Sequence, residues 1–162
     1  MIKVATKEHI EELAAIEKES FSTEPWTKGM FYDAVISAHI TVFLYFINDV
    51  IAGYTVVSAP QFCDAEIQNL AVRKRYRKMG IGHTLLSHAI LHARKNHCFT
   101  MFLDVGVNNL PAQKLYKSCG FEIISTRENY YGRAQKGQNA FVMRRREACP
   151  NSKFDDIAKG SP

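Results

Sequence analysis

Apolar and polar positions near the start of the chain repeat with helical spacing. Thr6 can cap a first helix, in which apolar residues share one face and charged residues share the other. Pro25 and Trp26 then break the pattern, and Thr27 can begin a second, shorter helix. The pattern therefore predicts a surface helix followed by a short second one.

Strand-like patterns come next. Residues 41–47 and 50–58 are rich in β-branched and aromatic side chains and flank an Asn-Asp turn at 48–49, so they predict a hairpin. A further strand is predicted over residues 65–72, but the polar pair at 68–69 interrupts its alternation. An inserted residue shifts the alternation of side chains along a strand, so we expect a bulge or a splayed edge there.

The second half of the chain alternates helices with strands. Apolar residues recur at helical spacing over residues 81–93, which gives the clearest helix. Asn109 and Pro111 can start another helix, and Gly120 can close it. Strands are predicted over residues 99–105, 121–126 and 139–144.

These elements predict an α/β fold. The hairpin implies antiparallel pairing and the later alternation implies locally parallel pairing, so we expect a mixed sheet with helices on both faces. Residues 147–162 are dominated by Pro, Asn, Ser, Gly and charged residues, and we expect this tail to be disordered. The sequence thus predicts one folded domain over residues 1–146.

Length and charge limit the classes of function. With 162 residues the chain can form one domain with a substantial core. The net charge of +5 is modest and is concentrated over residues 73–78 and in Arg144, Arg145 and Arg146. This distribution favours an anionic ligand, and nucleic acid is not an expected partner.

Cysteines and histidines indicate no metal centre. The four cysteines form no Cys-x-x-Cys pair, which argues against both a zinc site and a disulfide framework. His88 and His92 have the spacing of a helical metal pair, but the accompanying Glu of a His-Glu-x-x-His motif is absent. The scattered cysteines favour reduced thiols, so we expect a cytoplasmic protein. No apolar run approaches the about 20 residues that span a membrane, and we expect no membrane partner.

The most informative segment connects a strand to a helix through a basic, glycine-containing turn. Residues 70–72 are apolar, residues 73–78 carry five cations, and Gly80 and Gly82 follow. Backbone N–H groups can converge on an anion at such a turn, and the helix dipole adds to their attraction. The segment lacks the third glycine of a dinucleotide motif and the Gly-Lys-Ser/Thr ending of a P-loop.

Two motifs resemble the GNAT acetyltransferase superfamily. Residues 77–82 read Arg-Lys-Met-Gly-Ile-Gly and are similar to its Arg-x-x-Gly-x-Gly signature for acetyl-CoA. Residues 104–121 resemble its second hallmark, in which an Asn precedes a helix bearing Leu-Tyr and Gly-Phe follows. The resemblance implies a mostly antiparallel sheet with a central pair of parallel strands that splay apart.

The resemblance also implies a set of contacts with acetyl-CoA. Backbone groups of three strand residues would face the acetyl and pantetheine portions, the turn would hold the pyrophosphate, and two helix residues could add side-chain contacts. In chain order these are Leu70, Ala71, Val72, Arg77, Lys78, Met79, Gly80, Ile81, Gly82, His83 and Thr84. Asn109 would bind the pantetheine arm, and Tyr116 would stand near the sulfur.

Three residues are candidates for catalysis. Tyr116 would protonate the departing thiolate or orient the thioester. The strand position that carries Glu in the best-known members of the RimI branch is Asp104 here, which is shorter by one methylene. Glu66 matches the place where histone-acetylating GNAT enzymes keep a catalytic Glu, and we favour it over Asp104 as base or water organiser, although the two could share the task.

Pro25-Trp26, residues 68–72 and residues 128–131 resemble the RimI branch of these enzymes, whose members acetylate the N-terminal α-amine of a ribosomal protein. Trp26, Tyr130 and Tyr131 would line the acceptor groove. Two alternatives stay open: a GNAT enzyme acting on a lysine side chain or a small amine, and a CoA-binding module without activity.

Overall fold

The computed structural model describes residues 1–22, 25–128 and 139–148. They form a seven-stranded sheet in the order β1-β2-β3-β4-β5-β7-β6. The strands are β1 (Ile2–Val4), β2 (Ile40–Ile47), β3 (Val50–Ser58), β4 (Ala65–Val72), β5 (Thr100–Gly106), β6 (Glu122–Arg127) and β7 (Ala140–Arg146). Only β4 and β5 pair in parallel, and every other described pairing is antiparallel. The predicted mixed α/β fold is confirmed.

Four helices cover the two faces of the sheet. They are α1 (Ile10–Ser20), α2 (Lys28–Ile36), α3 (Ile81–Lys95) and α4 (Leu110–Ser118), and a short 3-10 turn over Lys7–His9 leads into α1. One buried cluster packs α3 and α4 against the sheet, and a second packs α1 and α2 against the opposite face. Burial of both apolar faces of the sheet is the main stabilising contribution of this arrangement.

The hairpin forms as its sequence predicts. Asn48 and Asp49 adopt positive φ values of 45° and 62°, which matches the twist that two-residue hairpin turns require. Strand β1 was not predicted, because three residues are too few to show alternation. It is held by antiparallel pairing with β2.

The parallel pairing predicted for the second half of the chain is found directly between β4 and β5. Strands β4, β5 and β6 point the same way, but β7 inserts between β5 and β6 and pairs antiparallel with both. At the end of β7 the Glu147 N–H donates to the Phe99 carbonyl at 2.8 Å. Most of the predicted disordered tail, residues 149–162, lies outside the described residues.

Candidate active site

A cavity of about 530 Å³ opens where β4 and β5 separate. The two strands pair only between residues 65–67 and 101–103. Beyond that point β4 stays paired with β3 as far as Val72, and β5 stays paired with β7 as far as Gly106. The predicted splayed pair is therefore present, and its two strands, α1, the segment after α1, and α4 supply the cavity wall.

A β-bulge lies at Gln68, where the split begins. Val57 pairs with Ile67 and Val56 pairs with Asn69, so Gln68 is the inserted residue. The insertion reverses the alternation of side chains: Leu70 packs in the same cluster as Ile67. Among the described residues, no strand pairs with the β5-facing edge of β4 beyond Ile67. That edge can therefore present backbone groups to a ligand.

The glycine turn directs the chain into α3. Gly80 has a φ of +78° and is the N-cap of the helix, and Lys78 has a φ of +63°. A Cβ on Gly82 would lie 3.2 Å from Leu115 Cδ2, so the absence of a side chain lets the first turn of α3 approach α4. No acidic residue occupies this first turn, which keeps the positive end of the helix dipole open to an anion.

The basic residues around this turn are not equivalent. Arg73 is directed away from it: its guanidinium pairs with Glu12 at 3.0 Å and with Glu19 at 3.2 Å on α1, and its Nε donates to the Ile51 carbonyl. Arg77 remains exposed, and its Nε donates to the Val72 carbonyl at 2.9 Å. The exposed cations at the turn are Lys74, Arg75, Arg77 and Lys78.

The other residues predicted to bind the coenzyme do not share one environment, and some of their side chains are buried. Leu70 lines the cavity, whereas Ala71 is buried in the cluster beneath α1 and α2. The side chain of Ile81 is also buried, so only its backbone faces the turn. The Thr84 hydroxyl donates to the Gly80 carbonyl at 3.1 Å, and His83 Nδ1 lies 3.5 Å from Ser87 Oγ. Both helix side chains therefore have partners within α3.

Asn109 and Gln113 fix the start of α4 against the cavity. Asn109 Oδ1 accepts the Ala112 N–H at 3.2 Å, and Asn109 also lines the cavity. This bond uses the oxygen, so the amide nitrogen is the group that could donate to a ligand. Gln113 is buried and donates to the carbonyls of Gly106 and Val107 at 3.0 and 2.9 Å. It thereby fixes the loop between β5 and α4.

Tyr116 is placed at the cavity by α4. Its side chain is only 7% exposed, and its ring packs edge-on to Phe121 with centroids 6.0 Å apart. The ring therefore has the packing role of a core residue, and it lines the cavity as well. The two roles coexist in this structure.

The two candidate carboxylates lie on neighbouring strands and interact. Asp104 lines the cavity and forms an ion pair with Arg127, with Oδ2 and Nη1 3.0 Å apart. Glu66 does not line the cavity, and it pairs in register with Phe102, two residues before Asp104. Desolvation raises the pKa of Glu66, the Asp104 charge raises it further, and Arg127 opposes the rise. The environment of Glu66 thus favours its protonated form, and Asp104 is the carboxylate that lines the cavity.

Trp26, which the sequence suggested as an acceptor residue, lines the cavity. Its ring contacts Phe31 at a tilted angle, with centroids 5.4 Å apart, and Phe21 lines the cavity beside it. Tyr130 and Tyr131 lie outside the described residues.

The sequence did not reveal a buried carboxylate at the same wall. Glu17 is 2% exposed, and it accepts hydrogen bonds from the Trp26 N–H at 2.9 Å, from Asn69 Nδ2 at 3.1 Å and from the Tyr54 hydroxyl. Burial raises the pKa of Tyr54, and the negative charge of Glu17 adds to that rise. A signal was present, since Glu17 falls three and four residues after the apolar positions 14 and 13.

Other charged and metal-binding candidates have simpler explanations. Within residues 1–22, 25–128 and 139–148, no group of three or more His, Cys, Asp or Glu side chains could hold a metal ion. His88 and His92 instead pack edge-on to Phe43, with centroids 4.6 and 5.3 Å away. Arg144 and Arg145 pair with Glu122 and Glu147. No helix in the described part of the chain is long and apolar enough to cross a membrane.

Comparisons with known proteins agree with this geometry. A model of the acetyltransferase (GNAT) family matches residues 7–121. A Bacillus subtilis protein named "Putative ribosomal protein bS18-alanine N-acetyltransferase" is 34% identical over 137 residues, which cover 84% of this chain and 88% of that protein. The "Probable N-acetyltransferase san" of Drosophila melanogaster is 33% identical over 128 residues, covering 75% and 69%. The crystal structure of the ribosomal-protein-S18-alanine N-acetyltransferase from Escherichia coli superposes with a TM-score of 0.83 at 26% identity, covering 95% and 99%.

Proposed function

The chain belongs to the acetyltransferase (GNAT) family, and from this premise we propose that it transfers acetyl from acetyl-CoA directly to the N-terminal α-amine of a protein. A ribosomal protein is the proposed acceptor, by similarity to the Bacillus subtilis relative. The observation that carries the proposal is the cavity between β4 and β5, which brings Tyr116, Asp104 and the bulged strand to one place. With a ribosomal acceptor, the proposed location of the reaction is the cytoplasm.

The coenzyme enters this scheme as a substrate. The positive end of α3 and the exposed cations at the turn would hold its pyrophosphate, and Asn109 would hydrogen-bond its pantetheine arm. The β5-facing edge of β4 would supply backbone donors to the thioester carbonyl. These donors would stabilise the negative charge that develops on the carbonyl oxygen as the carbon becomes tetrahedral.

The chemistry requires one proton to leave the amine and one to reach the sulfur. An α-amine has a pKa near ~8, so a useful fraction is already neutral at neutral pH. As its nitrogen bonds to the acetyl carbon, Glu66 accepts the excess proton through a water, assisted by Asp104 at the cavity wall. The carbon–sulfur bond then breaks, and the Tyr116 phenol protonates a thiolate whose parent thiol has a pKa of about 8.5.

The cysteines support direct transfer rather than an acetylated enzyme. None of the cysteines in the described residues lines the cavity. Burial also raises the pKa of the Cys98 and Cys119 thiols, which disfavours the nucleophilic thiolate. The amine is therefore the proposed nucleophile on acetyl-CoA itself.

An acceptor panel tests the proposal. Purified protein is given acetyl-CoA with Ala- and Met-starting peptides, an N-blocked lysine peptide or spermidine, and CoA release and the acetylated atom are measured by absorbance and mass spectrometry. We expect preferential acetylation of a free peptide N-terminus. Lysine and other alkylamines have a pKa near ~10.4 and need a more effective base, so faster turnover of the lysine peptide or spermidine would overturn the proposal. Binding of acetyl-CoA without turnover would indicate a CoA-binding module.

A further inference from the structure

We propose that Glu17 is a positioning residue, whose buried carboxylate holds the segment at Trp26 against the bulged strand at Asn69 and so fixes the acceptor wall of the cavity. This role rests on the acetyltransferase function proposed above. It does not depend on which amine is the acceptor, because the wall borders the cavity for any acceptor.

The hydrogen bonds of Glu17 join three separate parts of the chain. Oε1 accepts from the Trp26 backbone N–H at 2.9 Å and from Asn69 Nδ2 at 3.1 Å, and Oε2 accepts from the Tyr54 hydroxyl. A buried carboxylate costs free energy unless such donors satisfy it. Both oxygens are occupied by donors from the protein itself, which favours a positioning role over proton transfer to or from an acceptor.

A second chain of contacts leads from Glu17 to the same segment. The Trp26 ring contacts Phe31, and Phe31 packs edge-on to Tyr54 with centroids 5.4 Å apart. Tyr54 is fully buried and donates to Glu17. The Trp26 backbone is therefore held by Glu17 directly, and its ring is held through two aromatic residues that end at the same carboxylate.

The hydrogen-bond network of Glu17 lies at the cavity, so its role extends beyond stabilising the core. Glu17, Trp26 and Asn69 all line the cavity. Asn69 also follows the inserted residue of the bulge, where β4 is no longer paired with β5. Loss of the carboxylate would release the Trp26 backbone and the Asn69 side chain at the acceptor wall, while β4 would stay paired with β3.

Two substitutions separate the hydrogen-bonding role from charge and from packing. Glu17→Gln keeps an amide oxygen for the Trp26 and Asn69 donors and removes the charge, whereas Glu17→Met keeps a similar volume and removes the acceptors. We expect Glu17→Met to raise the acceptor KM about 10-fold. The acceptor KM of Glu17→Gln should stay within about 3-fold of the wild-type value. The dissociation constant of acetyl-CoA should change less than 2-fold in both variants, measured by calorimetry.

The fluorescence of Trp26 gives an independent readout, because it is the only tryptophan in the chain. We expect Glu17→Met to shift its emission to longer wavelength and to increase its quenching by acrylamide, and Glu17→Gln to do neither. Glu11→Met is the matched control, since Glu11 is exposed on the same helix and pairs with Lys28. It should leave the acceptor KM and the emission unchanged.

If Glu17→Met does not fold, Tyr54→Phe carries the test. It removes one donor to Glu17 with almost no change in volume, and we expect a smaller change in both acceptor KM and emission, in the same direction as for Glu17→Met. Unchanged acceptor KM and emission in a folded Glu17→Met or Tyr54→Phe variant would overturn the role of Glu17. So would a Glu17→Gln variant as impaired as Glu17→Met. The wild-type protein would in each case still report separately whether a peptide N-terminus is its acceptor.

Discussion

The proposed coenzyme side and the proposed acceptor side of the active site are built in different ways. The proposed pyrophosphate-binding part of the coenzyme side is one continuous segment, residues 77–84, which does not line the cavity and contains a left-handed glycine and a helix N-terminus. The acceptor side combines α1, the segment at Trp26, the bulge of β4 and Asp104 on β5. One side is local in sequence and uses backbone atoms, and the other is assembled from distant side chains.

This difference has a physical consequence. Backbone donors at a helix N-terminus depend little on which side chains surround them, so a coenzyme common to many reactions can be held by a short motif. A wall formed by side chains from four segments changes whenever one of them changes. The acceptor side is thus the place where the specificity of this chain can be determined, and variants should separate the two sides.

The largest effect is expected where the two sides meet. Tyr116→Phe keeps the ring that packs on Phe121 and removes only the hydroxyl. General acid catalysis contributes about 10²- to 10⁴-fold, and we expect a decrease in kcat near the lower end because the leaving thiolate is only moderately basic. Acetyl-CoA affinity by calorimetry should stay the same. A decrease in kcat of less than 3-fold would exclude the phenol as the acid.

A change confined to the coenzyme side should come next in size. Gly82→Val adds side-chain atoms where even a Cβ would lie 3.2 Å from Leu115, and such overpacking costs about 1–3 kcal/mol. We expect displacement of the first turn of α3 to raise the acetyl-CoA KM about 10-fold, with the acceptor KM unchanged. Gly29→Val is the control, because it makes the same change at an exposed glycine of α2, where a Cβ would have only an ordinary contact of 3.7 Å with Thr27 Oγ1. An equal rise in both KM values for Gly82→Val would contradict the separation of the sides.

The turn before α3 and the start of α4 could be predicted from the sequence, and the long-range contacts around the cavity could not. Gly80 and Gly82 indicate a turn, and Asn109 indicates the start of a helix. The preferences of Gly for turns and of Asn for N-caps come from local backbone geometry. The pairing of Arg73 with α1 and of Arg127 with Asp104 depends on long-range packing. No spacing rule relates residues that meet only after the sheet forms, and Glu17 was visible only as an acid on an apolar stripe.

A smaller effect is expected on the pH dependence of the acceptor side. The pKa of Glu66 is raised by desolvation and by the Asp104 charge, so kcat should fall at low pH with an apparent pKa above 4.5. Asp104→Asn removes that repulsion, and activity should persist to lower pH. The measurement is kcat at saturating acceptor, which excludes the ionisation of the free amine.

Glu66→Gln is the companion variant for this pH profile. It should abolish the acid limb altogether, because the titrating group is gone. An acid limb that is identical in wild type, Asp104→Asn and Glu66→Gln would assign it to another group.

The smallest effect is expected at Glu19, which links α1 to the start of the basic turn. The Lys74 N–H donates to Glu19 on α1 and, together with Arg73, lowers the pKa of that carboxyl. A lowered pKa in the folded state contributes stability above the unfolded value near 4.5, and this contribution is lost as pH falls through the folded pKa. We expect Glu19→Gln to lower Tm by about 2 °C at pH 7. At a pH below the folded pKa of Glu19 the substitution should leave Tm unchanged.

The control for this link is Glu11→Gln, which makes the same change at an exposed ion pair. Its Tm should match that of the wild type at every pH. A Glu19→Gln variant with the wild-type Tm at pH 7 would show that the link contributes nothing to stability.

We propose that acetyl-CoA and the amine are bound at the same time and react directly. Initial-velocity kinetics with both substrates varied test this mechanism, together with mass spectrometry of the protein after incubation with acetyl-CoA alone. We expect intersecting lines in double-reciprocal plots and no acetylated protein. Parallel lines together with an acetyl group on the protein would show that the two substrates are used in turn, and would contradict it.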